Sequence, residues 1–342
     1  MQARKLTFAS TLAAVCGLVW SVAASTRADD TSPTNSVAFH LVESRLIWNE
    51  GAHNAFTDLI RFRDTWYCTF REAKGHVSPR GMIRVIRSDD GEQWQSAALL
   101  KRDDADLRDS KLSIAPDGKL MLLAAASWHE ETAPVKRQPM VWFSDDGSTW
   151  TEGVEVGEKD FWLWRVTWNE GCGLGVGYLV RGNRFARLYH TRDGKHFETL
   201  VDRLFDEGSP NEATIRFLAN GDALCLLRRD GSPATGQLGR AAPPYKDWQW
   251  RDLKTRIGGP NFVQVPSGEL VAVCRLYDGG ARTSVCLLDA EKGTITEKLK
   301  LPSGGDTSYA GLVWREDLLW ISYYSSHEGK TSIYLAKVSI GE

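Results

Sequence analysis

Three features of the 342-residue sequence predict an all-β fold, a six-bladed β-propeller of four-stranded antiparallel blades. One hairpin pattern, a polar start, an apolar strand, a turn and a second apolar strand, occurs six times. The turns of its copies recur about every 50 residues, which suits four strands per repeat. No stretch longer than a turn carries a helical period.

In chain order, Arg4 and Lys5 precede an apolar run from Leu6 to Val22, and small residues follow at Ala24 and Ala28. A charged, then apolar, then small-residue pattern predicts a signal peptide over residues 1–28, leaving 29–342 as a single propeller domain in a secreted or periplasmic protein. The run is short for a membrane span and is interrupted by Ser and Thr. Loss of Arg4, Lys5 and Arg27 takes the formal net charge from -2 to -5. No basic field remains to hold nucleic acid or an anionic membrane, and a monomer is expected.

The six hairpins span Ala55–Glu72, Asp109–Trp128, Trp162–Arg181, Asn211–Arg229, Gly259–Asp278 and Thr307–Ser326. Apolar strand patterns hold Cys68, Cys225, Cys274 and Cys286, so buried thiols are expected there. Cys274 and Cys286 flank the Gly279-Gly280 turn at similar distances, which leaves a disulfide across that hairpin open. A ring must also close, and Ala38–Trp48 is expected to supply the outer strand of the last blade, beside the segment from Thr331.

A second signature follows three of the hairpins: Ser88-Asp89-Asp90-Gly91-Glu92-Gln93-Trp94, Ser144-Asp145-Asp146-Gly147-Ser148-Thr149-Trp150 and Thr191-Arg192-Asp193-Gly194-Lys195-His196-Phe197. Hydroxyl and carboxylate oxygens can accept from backbone N–H groups in such a turn, glycine permits a positive φ, and the aromatic ring folds back between blades. These turns resemble the Asp-boxes of the sialidase (neuraminidase) superfamily, which are usually one residue longer between Ser and Gly. The resemblance extends from about Val37 to the end of the chain.

In a propeller of this kind the starts of the innermost strands and the ends of the second strands converge on one face, with the box-like turns on the other. The resemblance implies a tyrosine nucleophile polarised by a glutamate, three arginines on a sugar carboxylate and an aspartic acid that protonates the leaving group. By position Tyr309 matches the nucleophile, Glu212 its partner, Arg228 the second arginine and Arg275 the third. Blade 1 departs from the pattern: His53-Asn54-Ala55-Phe56-Thr57-Asp58 stands where the first arginine would be, and Glu72–Gly81 holds no aspartate. The acid is therefore open among Asp109, Asp58 and His76. Arg71 resembles an arginine that many members carry beside their acid.

His53, Asp58, Arg71, Arg108 and Trp164 complete the expected substrate contacts, with Trp128, Trp162 and Trp164 as a stacking wall for a sugar ring. His53, His76, His129 and His327 fall on neighbouring blades as acid/base groups or metal ligands; none has local ligand spacing, and no metal or cofactor is expected. Guanidinium forks suit carboxylates, so the expected partner is an acidic glycan or oligosaccharide. Three activities fit: an exo-acting glycoside hydrolase on an acidic or modified terminal sugar, a polysaccharide lyase on uronates, and a carbohydrate-binding propeller without catalysis.

Overall fold

The structure, a computed structural model, describes residues 37–341; the expected signal segment lies outside them. Strand β1 (Ala38–Trp48) comes first. Blade 1 is β2 (His53–Phe62), β3 (Thr65–Ala73), β4 (Met82–Ser88) and β5 (Gln95–Leu100), and blade 2 is β6 (Asp106–Ile114), β7 (Leu120–Ser127), β8 (Arg137–Ser144) and β9 (Val154–Glu155). Blade 3 is β10 (Phe161–Asn169), β11 (Cys172–Leu179), β12 (Ala186–Thr191) and β13 (Glu198–Phe205), and blade 4 is β14 (Pro210–Phe217), β15 (Ala223–Arg229), β16 (Gln237–Ala241) and β17 (Gln249–Asp252). Blade 5 is β18 (Ile257–Gln264), β19 (Leu270–Leu276), β20 (Arg282–Asp289) and β21 (Thr294–Lys300); blade 6 combines β22 (Thr307–Arg315), β23 (Leu318–Ser325) and β24 (Ser332–Gly341) with β1. The protein is a six-bladed, all-β propeller, and its last sheet runs β1-β24-β23-β22. Pairing from Ala38 with Gly341 to Trp48 with Ile333 closes the ring with the two ends of the described chain, as the sequence predicts.

Each blade buries both faces against its neighbours, so the second strands read as near-continuous apolar runs such as Leu120–Ser127, which is buried throughout. Six apolar clusters form, one at each blade–blade interface. Between blades 6 and 1, Trp66 and Trp320 stack with ring centroids 4.4 Å apart. Each large apolar side chain so buried contributes about 1.5–3 kcal/mol.

The three box-like turns lock adjacent blades. Ser88 Oγ accepts from Gly91 N at 2.8 Å, while Asp90 Oδ1 accepts from Glu92 N and Gln93 N at 2.7 and 2.9 Å. The turns at Ser144 and Thr191 repeat these bonds. Gly147 has a φ of 73°, and a Cβ there would stand 2.2 Å from the Tyr67 ring of the preceding blade. Glycine is thus required for both backbone and space.

The five cysteines of the described residues are free. The disulfide left open across the Gly279-Gly280 turn does not form, because the register sets Cys274 opposite Ser284 and Cys286 opposite Ala272.

All six innermost strands carry a β-bulge at the same place. Two residues oppose one at Phe56-Thr57, Asp109-Ser110, Trp164-Arg165, Asn211-Glu212, Gly259-Pro260 and Tyr309-Ala310. Phe56, Asp109, Gly259 and Tyr309 have φ of 64°, 54°, 55° and 54°. A bulge breaks the alternation of side chains and re-aims one residue along the ring axis. Small polar groups beside the bulges tie the blades together: Thr57 Oγ1 donates to the Tyr309 carbonyl at 2.8 Å and Thr214 Oγ1 to that of Pro260 at 2.8 Å. Across the ring, Arg165 of blade 3 forms a two-pronged pair with Asp58 of blade 1, with Nη1–Oδ2 at 2.9 Å and Nη2–Oδ1 at 3.1 Å.

Candidate active site

A cavity of about 520 Å³ opens where the bulges converge. Blade 1 contributes Phe56 and His76, and blade 2 contributes Arg108, Asp109, Trp128, His129, Lys136 and Arg137. Blade 3 adds Trp162, Trp164, Tyr178, Val180, Arg181 and Arg184; blade 4 adds Asn211, Glu212, Arg228 and Asp230; blade 6 adds Tyr309. Six of these, Phe56, Asp109, Trp164, Asn211, Glu212 and Tyr309, are bulge residues.

Tyr309 Oη donates to Glu212 Oε1 at 2.5 Å. Arg228 Nη1 donates to the same oxygen at 2.7 Å and to Tyr309 Oη at 2.9 Å, and Gly259 N donates to Glu212 Oε2 at 2.8 Å. Burial pushes the Glu212 pKa up, but the Arg228 charge and the bonds from Arg228, Tyr309 and Gly259 together pull it below the ordinary value. Glu212 is held ionised. Burial and the Glu212 charge push the Tyr309 phenol well above its usual range, so the phenol is neutral until its proton can pass to the adjacent carboxylate. Its ring is fixed edge-on by Phe56 at 5.1 Å, beside Trp164 at 5.9 Å, with the Arg275 guanidinium 5.3 Å from its centre.

Asp109 is the second carboxyl on this wall. Burial raises its pKa against the opposing charges of Arg108 and Lys111. Two carboxyls in one cavity are thus driven in opposite directions, Glu212 towards the anion and Asp109 towards the acid.

Of the residues expected at the site, Tyr309, Glu212, Asp109, His76, Arg108, Arg228 and Trp164 line the cavity, as do Trp128 and Trp162. Arg71, Asp58, His53 and Arg275 do not. Arg71 is 0% exposed and forms a fork-to-fork pair with Asp106, Nε–Oδ1 at 2.8 Å and Nη2–Oδ2 at 3.0 Å. Asp58 is occupied by Arg165 and by the backbone N–H of Leu112. Arg275 stands behind Tyr309, donating to the Thr307 carbonyl and, at 2.9 Å, to Tyr324 Oη. These residues hold the wall from behind.

The expected histidine group splits. His53 and His76 meet at Asp306 Oδ2, at 3.2 and 2.6 Å, whereas His129 Nε2 lies 2.8 Å from Asp106 and His327 Nδ1 lies 3.0 Å from Ser325 Oγ. His53, His76 and Asp306 bring three potential metal-ligand atoms within 4.8 Å of one another. The same carboxylate also accepts from Tyr324 Oη at 2.7 Å, and Arg275 Nη2 lies 3.4 Å away. Its hydrogen bonds thus account for it as the hub that fixes the two imidazoles and the Arg275 side chain.

Lys136, Arg137, Arg184 and Tyr178 escape sequence reasoning that considers only the ends of each first hairpin. Strand β8 starts at Arg137 on the same face on which β7 ends, so third-strand starts also reach the cavity. The Lys136-Arg137 pair just before an apolar run is the signal that could have found two of them.

No protein-family model and no curated protein sequence matches the chain. Among solved structures, a protein of unknown function from Dyadobacter fermentans has a TM-score of 0.79 at 18% identity, covering 89% of this chain and 99% of that one. The α-L-arabinofuranosidase of Fusarium graminearum, solved with arabinobiose, has a TM-score of 0.67 at 16% identity over 86% of this chain and 95% of its own. The NanB sialidase of Streptococcus pneumoniae has a TM-score of 0.64 at 12% identity over 87% of this chain and 70% of that one. At these identities the shared property is the fold, a propeller related in shape to several sugar-cleaving enzymes.

Proposed function

We propose that this protein is an exported, exo-acting glycoside hydrolase that removes an acidic terminal sugar from a glycan. The observation that carries this reading is the triangle of Tyr309 Oη, Glu212 Oε1 and Arg228 Nη1 on the cavity wall. In the first step Tyr309 Oη attacks the anomeric carbon while its proton passes to Glu212. Asp109, whose burial raises its pKa, protonates the departing glycosidic oxygen. In the second step the Asp109 carboxylate takes a proton from water, the water oxygen displaces Tyr309 Oη, and Glu212 returns the proton to the phenol. A neutral phenol approaches a negatively charged sugar without the repulsion that a carboxylate nucleophile would meet. Trp128 and Trp164 supply aromatic wall for a sugar ring, while Trp162 is covered by Tyr178 and Arg137.

The cavity favours an acidic over a neutral sugar: Arg108, Lys136, Arg137, Arg181, Arg184 and Arg228 line it against Asp109, Glu212 and Asp230. The test is a panel of sialosides, glucuronides, iduronides and neutral glycosides given to the mature chain. Release of a reducing acidic sugar supports the proposal, as does mass-spectrometric capture of a fluorinated acidic sugar on Tyr309. An ultraviolet-absorbing unsaturated uronate would instead identify a lyase.

A further inference from the structure

Several buried guanidinium groups among the described residues form close carboxylate pairs. Arg71 has Asp106, Arg165 has Asp58, and Arg229 has Asp252 at 2.9 Å. Arg108 is only 7% exposed, yet it has no hydrogen bond among the described residues. Its nearest carboxylate oxygens, Asp109 Oδ2 at 3.5 Å from Nε and Asp106 Oδ2 at 3.8 Å from Nη1, are too far or already engaged. A buried guanidinium that has carboxylates nearby but no hydrogen-bond acceptor is left with unsatisfied N–H groups, which is costly unless something else meets them.

Arg137 repeats the pattern from the third strand of the same blade. Its Nε is another buried donor without a partner, and among the described residues its one side-chain hydrogen bond runs from Nη1 to the Lys136 carbonyl at 2.6 Å. Both guanidiniums lie at the Trp162 ring, Arg108 at 5.9 Å and Arg137 at 4.9 Å from its centre. The indole face offsets part of their charge but accepts no fork-type hydrogen bonds. Burial, with the Arg108 charge added, pulls the Arg137 pKa down, as expected of like charges sharing a dry wall.

The arginines expected to clamp an acid are committed elsewhere. Arg228 is spent on Glu212, Asp230 and Tyr309, and Arg275 is off the cavity.

We propose that Arg108 and Arg137 form the anion subsite of the cavity, a two-guanidinium clamp beside Trp162 that takes the oxyanion group, carboxylate or sulfate, of the sugar ligand. This rests on the carbohydrate reading above and names the part of the ligand that decides selection. The two guanidiniums are held near one ring before the ligand arrives, so an oxyanion would meet N–H groups without partners, and its charge would offset the repulsion between them. A neutral sugar would leave both forks unsatisfied. The acid is therefore recognised on blade 2, a third of the ring away from the Glu212–Arg228 pair of blade 4.

The experiment is titration of the mature chain with glucuronate, N-acetylneuraminate and glucose 6-sulfate, with methyl glucoside as neutral control, followed by tryptophan fluorescence and calorimetry. At least one charged sugar is expected to bind well and the neutral one poorly. Arg108→Gln and Arg137→Gln are each expected to weaken the charged ligand roughly tenfold or more, with partial recovery in the Lys variants. The carboxylate and sulfate arms show which oxyanion is taken. In wild-type protein labelled in arginine, the Nε–H resonances of Arg108 and Arg137 should shift on titration while that of Arg275 stays, a reading that does not depend on any variant folding. Equal affinity for charged and neutral sugars, no response to any of the three charged sugars, or well-folded Gln variants with wild-type affinity would each overturn the subsite. Charged-sugar binding without cleavage of any glycoside would leave the subsite standing and sink the hydrolase. Cleavage indifferent to both Gln substitutions would do the reverse.

Discussion

Tyr309 and Glu212, contributed by blades 6 and 4, meet at 2.5 Å across the mouth of blade 5, whose Gly259 N–H holds the other Glu212 oxygen at 2.8 Å. Gly259 is required there: with a φ of 55° and its would-be Cβ 2.8 Å from the Tyr309 ring, only glycine lets the blades approach. If Tyr309 is the nucleophile, Tyr309→Phe removes turnover while leaving sugar affinity close to wild type by calorimetry. Retained activity in that variant would exclude the assignment.

Glu212→Gln keeps the shape and removes the charge. Loss of general-base assistance should lower kcat by about 10²–10⁴-fold. Stability has a defined pH dependence. The folded Glu212 pKa lies below its ordinary value of 4.5, so its contribution is present above about pH 4.5 and is lost as pH falls through the folded pKa. The difference in melting temperature between wild type and Glu212→Gln should therefore be largest at neutral pH and shrink on acidification. A constant difference would show that the charge is not the source.

Asp109 carries the opposite sign. Its folded pKa is raised above the ordinary 3.8, so the folded state is penalised as pH rises above 3.8. Asp109→Asn should melt higher than wild type at neutral pH, lose that gain near pH 3.5, and tolerate the 54° φ because asparagine accepts left-handed backbone. It should also lose most kcat/KM on glycosides with poor leaving groups while keeping kcat/KM on nitrophenyl glycosides, whose leaving group needs no proton, although the second step, which also uses Asp109, slows for both. Equal loss on both would remove Asp109 from the acid role.

The pair across the channel is structural. Asp58→Ala leaves Arg165 buried without its carboxylate beside Lys111, whose pKa is already down to about 8 through burial, and Arg216, down to about 9 for the same reason. Denaturant unfolding should show a loss of about 3–5 kcal/mol. Because Asp58 does not line the cavity, the folded fraction should keep sugar affinity.

Free thiols at Cys68, Cys225, Cys274 and Cys286, all buried, predict that reductant leaves the melting temperature unchanged. A drop with dithiothreitol would show that two of these thiols are bridged instead of free.

The ring and its closure are legible in the sequence because strand periodicity and turn residues are local signals repeated six times. Glu212, Arg228 and Tyr309 could be picked out because they sit at fixed offsets from those turns. What separates Arg228, on the cavity, from Arg275, behind it, is not local. Both lie near the end of a second strand, but Arg275 is drawn back by Thr307 and Tyr324 of blade 6. Arg71 and Asp58, expected from the sequence to contact a substrate, likewise each meet a partner from another blade, Asp106 and Arg165. Partners separated by 35 and 107 residues leave no pattern in a linear reading. The bulges explain the rest. A two-for-one mismatch in pairing shifts the side-chain phase at Asp109 and Tyr309, and residue composition alone does not announce it.

That mismatch, repeated at one height in every blade, makes the rim a set of six sockets. Pairing on either side maintains each socket, so it tolerates whatever side chain stands first in it: here phenylalanine, aspartate, tryptophan, asparagine, glycine and tyrosine in turn, with Glu212 at the second position of its blade. A change of reagent on one blade need not disturb the chemistry on the next. Such a ring can alter what one blade presents to a ligand while leaving the others as they are.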